Sequence, residues 1–238
     1  MPEKLELWLP FSLAVITQPF AANDNDSYAA SGLKGHTGID FGAPYGTVIP
    51  NCAEGAFVYS ILDANDPVLM AYRAVFTIIE TVAGCYEISY GHCSQMSSLV
   101  GATPDVGEEL ALIGNTGEVF SNGVEITEAQ KDAGSKAGAH LHFQVREIKK
   151  VPVNSDIALS GYKNWIQDAN GMYQKDGFFY AIPNYDNGYN GCVDPTPFFN
   201  GFLAVTHDTT IANLTEQVSL YTQVVGIMKK LLAFISIK

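Results

Sequence analysis

The sequence predicts a mainly β, antiparallel, β-sandwich-like domain with loop insertions and a C-terminal α-helix. Three observations lead there. Short segments rich in β-branched and aromatic residues recur between Phe11 and Val145, each bounded by Gly, Asp, Asn or Pro. Two stretches, residues 118–138 and 150–190, interrupt that rhythm with polar or Tyr/Asn/Gly-rich sequence. From Ile211 onward the apolar residues step by three and four.

Taken in order, residues 11–20 read as a strand entering the domain, and residues 21–35 as a loop delivering the chain to His36. A turn and a short strand follow over 42–50. Strands are expected at 55–61, 72–82, 85–90 and 109–113, the last ending at the turn Gly114-Asn-Thr-Gly117. The insertion 118–138 carries a short helix within 127–136, capped by Thr127. A strand at 139–145 follows, and then the insertion 150–190. Its aromatic residues, from Tyr162 to Tyr189, are expected chiefly to pack a long loop onto the body, with a sugar or peptide groove as the other reading. Both insertions are expected near the rim of a cleft. The domain is placed at 1–205, with its core at about 12–200.

The tail 206–238 repeats Ile211, Leu214, Val218, Tyr221, Val225, Met228, Leu232 and Ile235, an apolar stripe of heptad spacing. Self-association to a homo-oligomer, or a partner helix, is favoured over docking on the chain's own core.

A formal charge of −12 and a pI near 4.7 argue against nucleic acid or an anionic membrane surface as the main partner, because both need clustered Lys and Arg. No run of eighteen apolar residues offers a membrane span. Glu3, Glu6 and Pro10 break the basic-then-apolar pattern of a secretory signal around residues 7–16. Cys52, Cys85, Cys93 and Cys192 are too few and too irregularly spaced for a disulfide scaffold, which leaves free thiols or one or two bridges open.

The chemistry concentrates in two short motifs. In an extended strand His36 and Asp40 of Gly35-His-Thr-Gly-Ile-Asp-Phe41 share a face, with Gly38 leaving room between them. The same alternation puts His140 and His142 together while Leu141 and Phe143 point away. Two His and one Asp form a three-ligand set suited to a catalytic zinc with its fourth position open, one ion per chain. Four of the five histidines lie in these motifs or in Tyr90-Gly91-His92, which argues against chance placement. His207, outside every motif, is expected to be a surface or packing residue. Tyr90 shares a strand face with His92 and is a candidate to line the cleft or to pack; Asn115 is a further candidate for substrate contact.

Laid end to end, Gly35-His-Thr-Gly-Ile-Asp-Phe41, Tyr90-Gly-His92, Ile113-Gly-Asn-Thr-Gly117 and His140-Leu-His-Phe143 resemble the lysostaphin-type zinc endopeptidases that cut peptidoglycan cross-bridges and stem peptides. The lead-in Ile16-Thr-Gln-Pro-Phe20 and the closing Val193-Asp-Pro195 match as well. The resemblance implies that His36, Asp40 and His142 hold zinc, and that His92 and His140, not ligands themselves, flank the water to be activated. Some members place a tyrosine before the first ligand, for which Tyr28 is the nearest candidate. There is no His-Glu-x-x-His helix to supply a glutamate base, so histidine must move the protons, and the division of labour between His92 and His140 stays open. The expectation is a zinc endopeptidase acting on peptidoglycan outside the cell, secreted or phage-associated. The alternative is a non-catalytic cell-wall-binding or structural module of a larger assembly, against which the complete ligand set argues.

Overall fold

In the computed structural model, the described residues are 1–11, 15–23, 27–63, 72–153, 162 and 164–202. The expected helix over 206–238 and His207 lie outside them.

The strands are, in order, β1 (Leu7–Leu9), β2 (Val15–Gln18), β3 (Ile39–Gly42), β4 (Val48–Pro50), β5 (Ala56–Asp63), β6 (Arg73–Glu80), β7 (Cys85–Gly91), β8 (Cys93–Met96) and β9 (Glu109–Ile113). There follow β10 (Phe120–Ser121), β11 (Val124–Glu125), β12 (His140–Pro152), β13 (Gln167–Asp168), β14 (Gly171–Met172), β15 (Gln174–Lys175), β16 (Phe178–Ala181), β17 (Cys192–Val193) and β18 (Phe199–Phe202). The described residues also form two short α-helices, α1 (Ser27–Ala30) and α2 (Glu128–Asp132), and single 3-10 turns at Tyr185–Asn187 and Thr196–Phe198. The mainly β antiparallel class expected from the alternation is the class observed.

Nine strands make the principal sheet, and β12 is its spine. One edge of β12 pairs with β7 over its length, followed outward by β6 and β5. Its other edge is shared in succession by β3 at His140–Phe143, β17 at Val145–Arg146 and β16 at Lys149–Pro152. The strand expected at 139–145 therefore runs on to Pro152, because the second insertion returns to pair with its far end.

One face of this sheet packs against the three-stranded sheet β4-β9-β8. Ile39, Phe41, Val75, Ile88, Tyr90, Leu141 and Phe143 from the first meet Ile49, Cys93, Leu110 and Ile113 from the second in one buried cluster. Phe41 and Phe143 are fully buried and edge-to-face at 6.2 Å; truncating either to Ala should cost about 3–5 kcal/mol.

The other face carries the residues between. His142 stands opposite Asp40 and Gly91, then Gln144 opposite Ser89, then Arg146 opposite Glu87. Ser89 donates to Gln144 at 2.8 Å, and Arg146 donates to the buried Glu87 at 2.7 Å, with Tyr59 donating to the other carboxylate oxygen. Farther along, Tyr59, Ile78 and Ile148 are covered by Ile166, Tyr173, Tyr180 and Ile182 of the second insertion. The described aromatics of that insertion thus pack it onto the sheet. The first insertion contains α2, with Thr127 as N-cap in a capping box with Gln130, at the position the sequence indicates.

All four cysteines are free thiols, three of them buried, so neither bridge left open by the sequence is formed. Among the described residues no helix is long and apolar enough to cross a membrane.

Candidate metal centre

The register of the β3–β12 ladder sets Asp40 directly against His142. His142 Nδ1 lies 2.8 Å from Asp40 Oδ1, and His36 Nε2 lies 3.1 Å from that oxygen and 2.9 Å from His142 Nδ1. His36 is not on the strand, which begins at Ile39. It is held by a short antiparallel exchange with Ala21 and Ala22, and its Nδ1 faces the Pro19 carbonyl at 3.1 Å. Gly38 is required for close approach: a Cβ there would lie 2.4 Å from the Phe143 carbonyl oxygen.

A carbonyl only accepts, so its partner nitrogen carries the proton and the opposite ring nitrogen keeps its lone pair. His36 Nδ1 against Pro19, His92 Nδ1 against Thr116 O (2.6 Å) and His140 Nδ1 against Gly138 O (2.7 Å) all follow this pattern. In the neutral rings the Nε2 atoms of His36, His92 and His140 are therefore the acceptors. His140 Nε2 lies 3.5 Å from Asp40 Oδ2, and the His92 and His140 ring centroids are 4.4 Å apart.

The set His36, Asp40 and His142, all buried, could hold a metal ion. Two imidazole nitrogens and a carboxylate oxygen are the donors that zinc accepts, and the observed spacing is a few tenths of an ångström tighter than the roughly 3.3 Å between donors around a tetrahedral ion. The residues fit the ion. Burial pushes the Asp40 carboxyl upward, but its contacts with His142 and His36 outweigh it and hold the group well below the usual carboxylate range, ionised as a ligand must be. Burial lowers His92 well below the ordinary imidazole value, reinforced by His140 and His142, and lowers His142 against the opposing pull of Asp40.

These groups form the floor of a cleft of about 900 Å³. Thr17, Gln18, Ser27, Tyr28 and Thr37 line it together with Glu118–Gly123, Gly138 and Ala139. The first insertion is thus a wall of the cleft. The second, expected at the rim, contributes none of the lining among the described residues, because it covers the far end of the sheet face instead.

Tyr28 is in the cleft, its ring 6.1 Å from His36 and its hydroxyl donating to Gln18 at 3.0 Å. Tyr90 and Asn115 are not. Tyr90 is fully buried in the core, where its hydroxyl accepts from the Cys52 amide at 3.1 Å. The strand alternation that linked it to His92 is broken at His92 itself, whose φ of 60° turns the chain out of β7 and into β8. That left-handed conformation costs about 1–2 kcal/mol for a residue with a Cβ. Asn115 is also buried, and its amide donates to the Ser135 and Ala137 carbonyls at 2.9 and 3.1 Å, closing the base of the inserted wall.

The residue of that turn which reaches the site is Thr116, through its main-chain carbonyl on His92. Its hydroxyl accepts from the Arg73 amide and donates to the Cys93 carbonyl. No side-chain signal marks this role, since a carbonyl is common to every residue.

Residues 34–155, just over half of the chain, match the profile of Peptidase family M23. The chain belongs to peptidase family M23. It is accordingly a metallopeptidase, with a possible metal set in place at His36, Asp40 and His142. Among solved structures, LytU is 22% identical, with 79% of this chain and 86% of that one covered at a TM-score of 0.45. The catalytic domain of the antimicrobial peptidase lysostaphin from Staphylococcus simulans is 18% identical, with 77% and 88% covered and a TM-score of 0.40. A zinc-containing peptidase from Vibrio cholerae is 21% identical, with 61% and 37% covered and a TM-score of 0.41. No curated protein matches the chain.

Proposed function

We propose that this M23 chain is a zinc-dependent endopeptidase that hydrolyses peptide bonds in the cross-bridges or stem peptides of peptidoglycan, acting outside the cell that makes it. The observation that carries the reading is the convergence of five side chains on one cleft floor: three donors within 3.1 Å of one another, and two further histidines whose Nε2 atoms are left as acceptors.

His36, Asp40 and His142 would hold one zinc per chain. When bound, zinc supplies Lewis acidity, lowering the pKa of water from 15.7 to about 7 and polarising a carbonyl. His92 and His140 would supply the proton transfers: a neutral ring takes the proton of the attacking water on its Nε2, becoming an imidazolium, and that Nε2 proton then passes to the leaving amine, which restores the neutral ring. The Thr116 and Gly138 carbonyls keep both rings in the tautomer this requires. Tyr28, beside His36, would turn its phenol O–H from Gln18 to donate to the substrate carbonyl. The cleft lining contains no Lys or Arg among the described residues, which suits a neutral or amine-bearing peptide better than a carboxylate-rich one.

The peptidase domain would occupy residues 1–205, with 206–238 as a helical association element; light scattering of the full chain and of a chain ending at residue 205 checks that assignment. The test of function is muropeptide release from purified peptidoglycans of different cross-bridge types, with and without a chelator, with bound metal quantified on the same preparation. Chelator-sensitive appearance of new amino termini with about one zinc per chain supports the proposal. Bound zinc without cleavage of any wall moves the reading to a non-catalytic wall-binding module.

A further inference from the structure

We propose that Tyr72 is a positioning residue for His92, seated in a socket that Gly91 and Gly117 leave empty for its ring.

The Tyr72 ring stands edge-on to the His92 imidazole, with centroids 5.1 Å apart and planes at 85°. Two glycines from two separate motifs make room for it. A Cβ on Gly91 would lie 1.9 Å from the Tyr72 hydroxyl oxygen and 2.8 Å from Cζ. One on Gly117, where φ is +72°, would lie 2.7 Å from Cδ2 and 3.2 Å from the Tyr72 Cβ.

The sheet register says where this ring is. Gly91 pairs with His142, and His142 with Asp40, so a side chain at position 91 would project from the same face as the metal set. Tyr72 fills that place from the adjoining chain. Its hydroxyl end completes the row Asp40, His142, Gly91, while its ring backs His92.

His92 needs such support. Its main chain adopts a left-handed conformation, and the hydrogen bond between Nδ1 and the Thr116 carbonyl fixes one ring atom, with the His140 ring packed on the imidazole at 4.4 Å. The Tyr72 edge opposes tilting of the ring. The support is tied to the same turn, because the amide of the next residue, Arg73, donates to Thr116 Oγ1 at 3.1 Å. Thr116 thus anchors His92 through its carbonyl and the first residue of β6, next to the tyrosine, through its hydroxyl. Neither glycine is needed for zinc, and neither motif alone reveals that both serve one ring.

The inference rests on the reading that His92 transfers a proton, and the experiment separates the two. Tyr72→Leu and Tyr72→Phe are compared with the wild type for kcat and KM on a peptidoglycan that the wild type digests, for bound zinc, and for the imidazole Nδ1–H signal of His92 in NMR, assigned by its loss in His92→Ala. Tyr72→Phe keeps the ring and should keep the signal and the kcat. Tyr72→Leu should keep zinc and KM, shift or broaden the signal, and lower kcat by roughly 10–100-fold, the scale of misplacing a positioned group. An unchanged His92 signal in Tyr72→Leu overturns the proposal whatever the activity, as does loss of zinc or a change confined to KM. A changed signal with undiminished kcat supports the seating and instead overturns the catalytic reading of His92. If Tyr72→Leu does not fold, Tyr72→Met, whose flexible chain fills the socket without an aromatic edge, gives the same readouts.

Discussion

His142 and Asp40 face each other across the β3–β12 ladder, Nδ1 to Oδ1 at 2.8 Å, in directly opposed positions of the register. Two of the three proposed ligands are therefore placed by strand pairing, and the third, His36, by the loop contacts with Ala21, Ala22 and Pro19. Removing His36 or His142 by substitution with Ala should abolish stoichiometric zinc and lower activity by more than about 100-fold, since loss of an outer-sphere partner alone costs 10–100-fold in affinity. Metal analysis after dialysis decides this, and a full zinc complement in His142→Ala would sink the ligand assignment.

His92→Ala should behave differently. Its ring contacts His140 and Tyr72 and is not one of the three converging donors, so zinc content is expected to stay at the wild-type level while turnover falls about 10²–10⁴-fold. Activity within a few-fold of wild type would remove His92 from the mechanism.

Gly117→Ala places a Cβ against the Tyr72 ring and forces Ala into positive φ. Thermal or denaturant unfolding should show a loss of about 1–3 kcal/mol. Gly123→Ala is the control: it shares the positive φ but has nothing within 4 Å of its Cβ, so it should lose less.

Asn115 closes the inserted wall onto the body. Asn115→Ala leaves the Ser135 and Ala137 carbonyls without this donor and should cost about 1–3 kcal/mol. Hydrogen exchange should accelerate across residues 118–138 and not in β6 or β7, with KM raised more than kcat is lowered. Unaltered exchange in the wall would show that Lys131, which also donates to the Gly117 carbonyl, suffices to hold it.

Glu80 gives the acid side of the stability profile. Burial raises its pKa, but hydrogen bonds from Lys150 and from Tyr180, both at 2.8 Å, outweigh that and hold the carboxyl below its ordinary 4.5. A depressed folded-state pKa contributes stability above the unfolded value and loses it as pH falls through the folded one. The wild type should exceed Glu80→Gln in unfolding free energy at pH 6, by at most about 1 kcal/mol because both ends of the pair touch solvent, and the gap should close below pH 4.5. A gap that persists at low pH would assign it to packing.

The sequence by itself determined the β class, the approximate strands and the three residues that converge as a candidate metal set. Alternation of apolar residues, turn-forming glycines and the chemical scarcity of histidine are properties of short segments, readable without knowing what the segments touch. It also carried the Thr127 cap, which is local by nature. Only the tertiary structure decided that Tyr28 lines the cleft while Tyr90 enters the core, since the period-two rule fails at the left-handed His92. Only it showed Asn115 holding a loop, the Thr116 carbonyl holding a histidine, and Tyr72 filling the space of two glycines. Those roles are contacts between residues distant in the sequence, or belong to main-chain atoms that every residue possesses, and no local pattern encodes either.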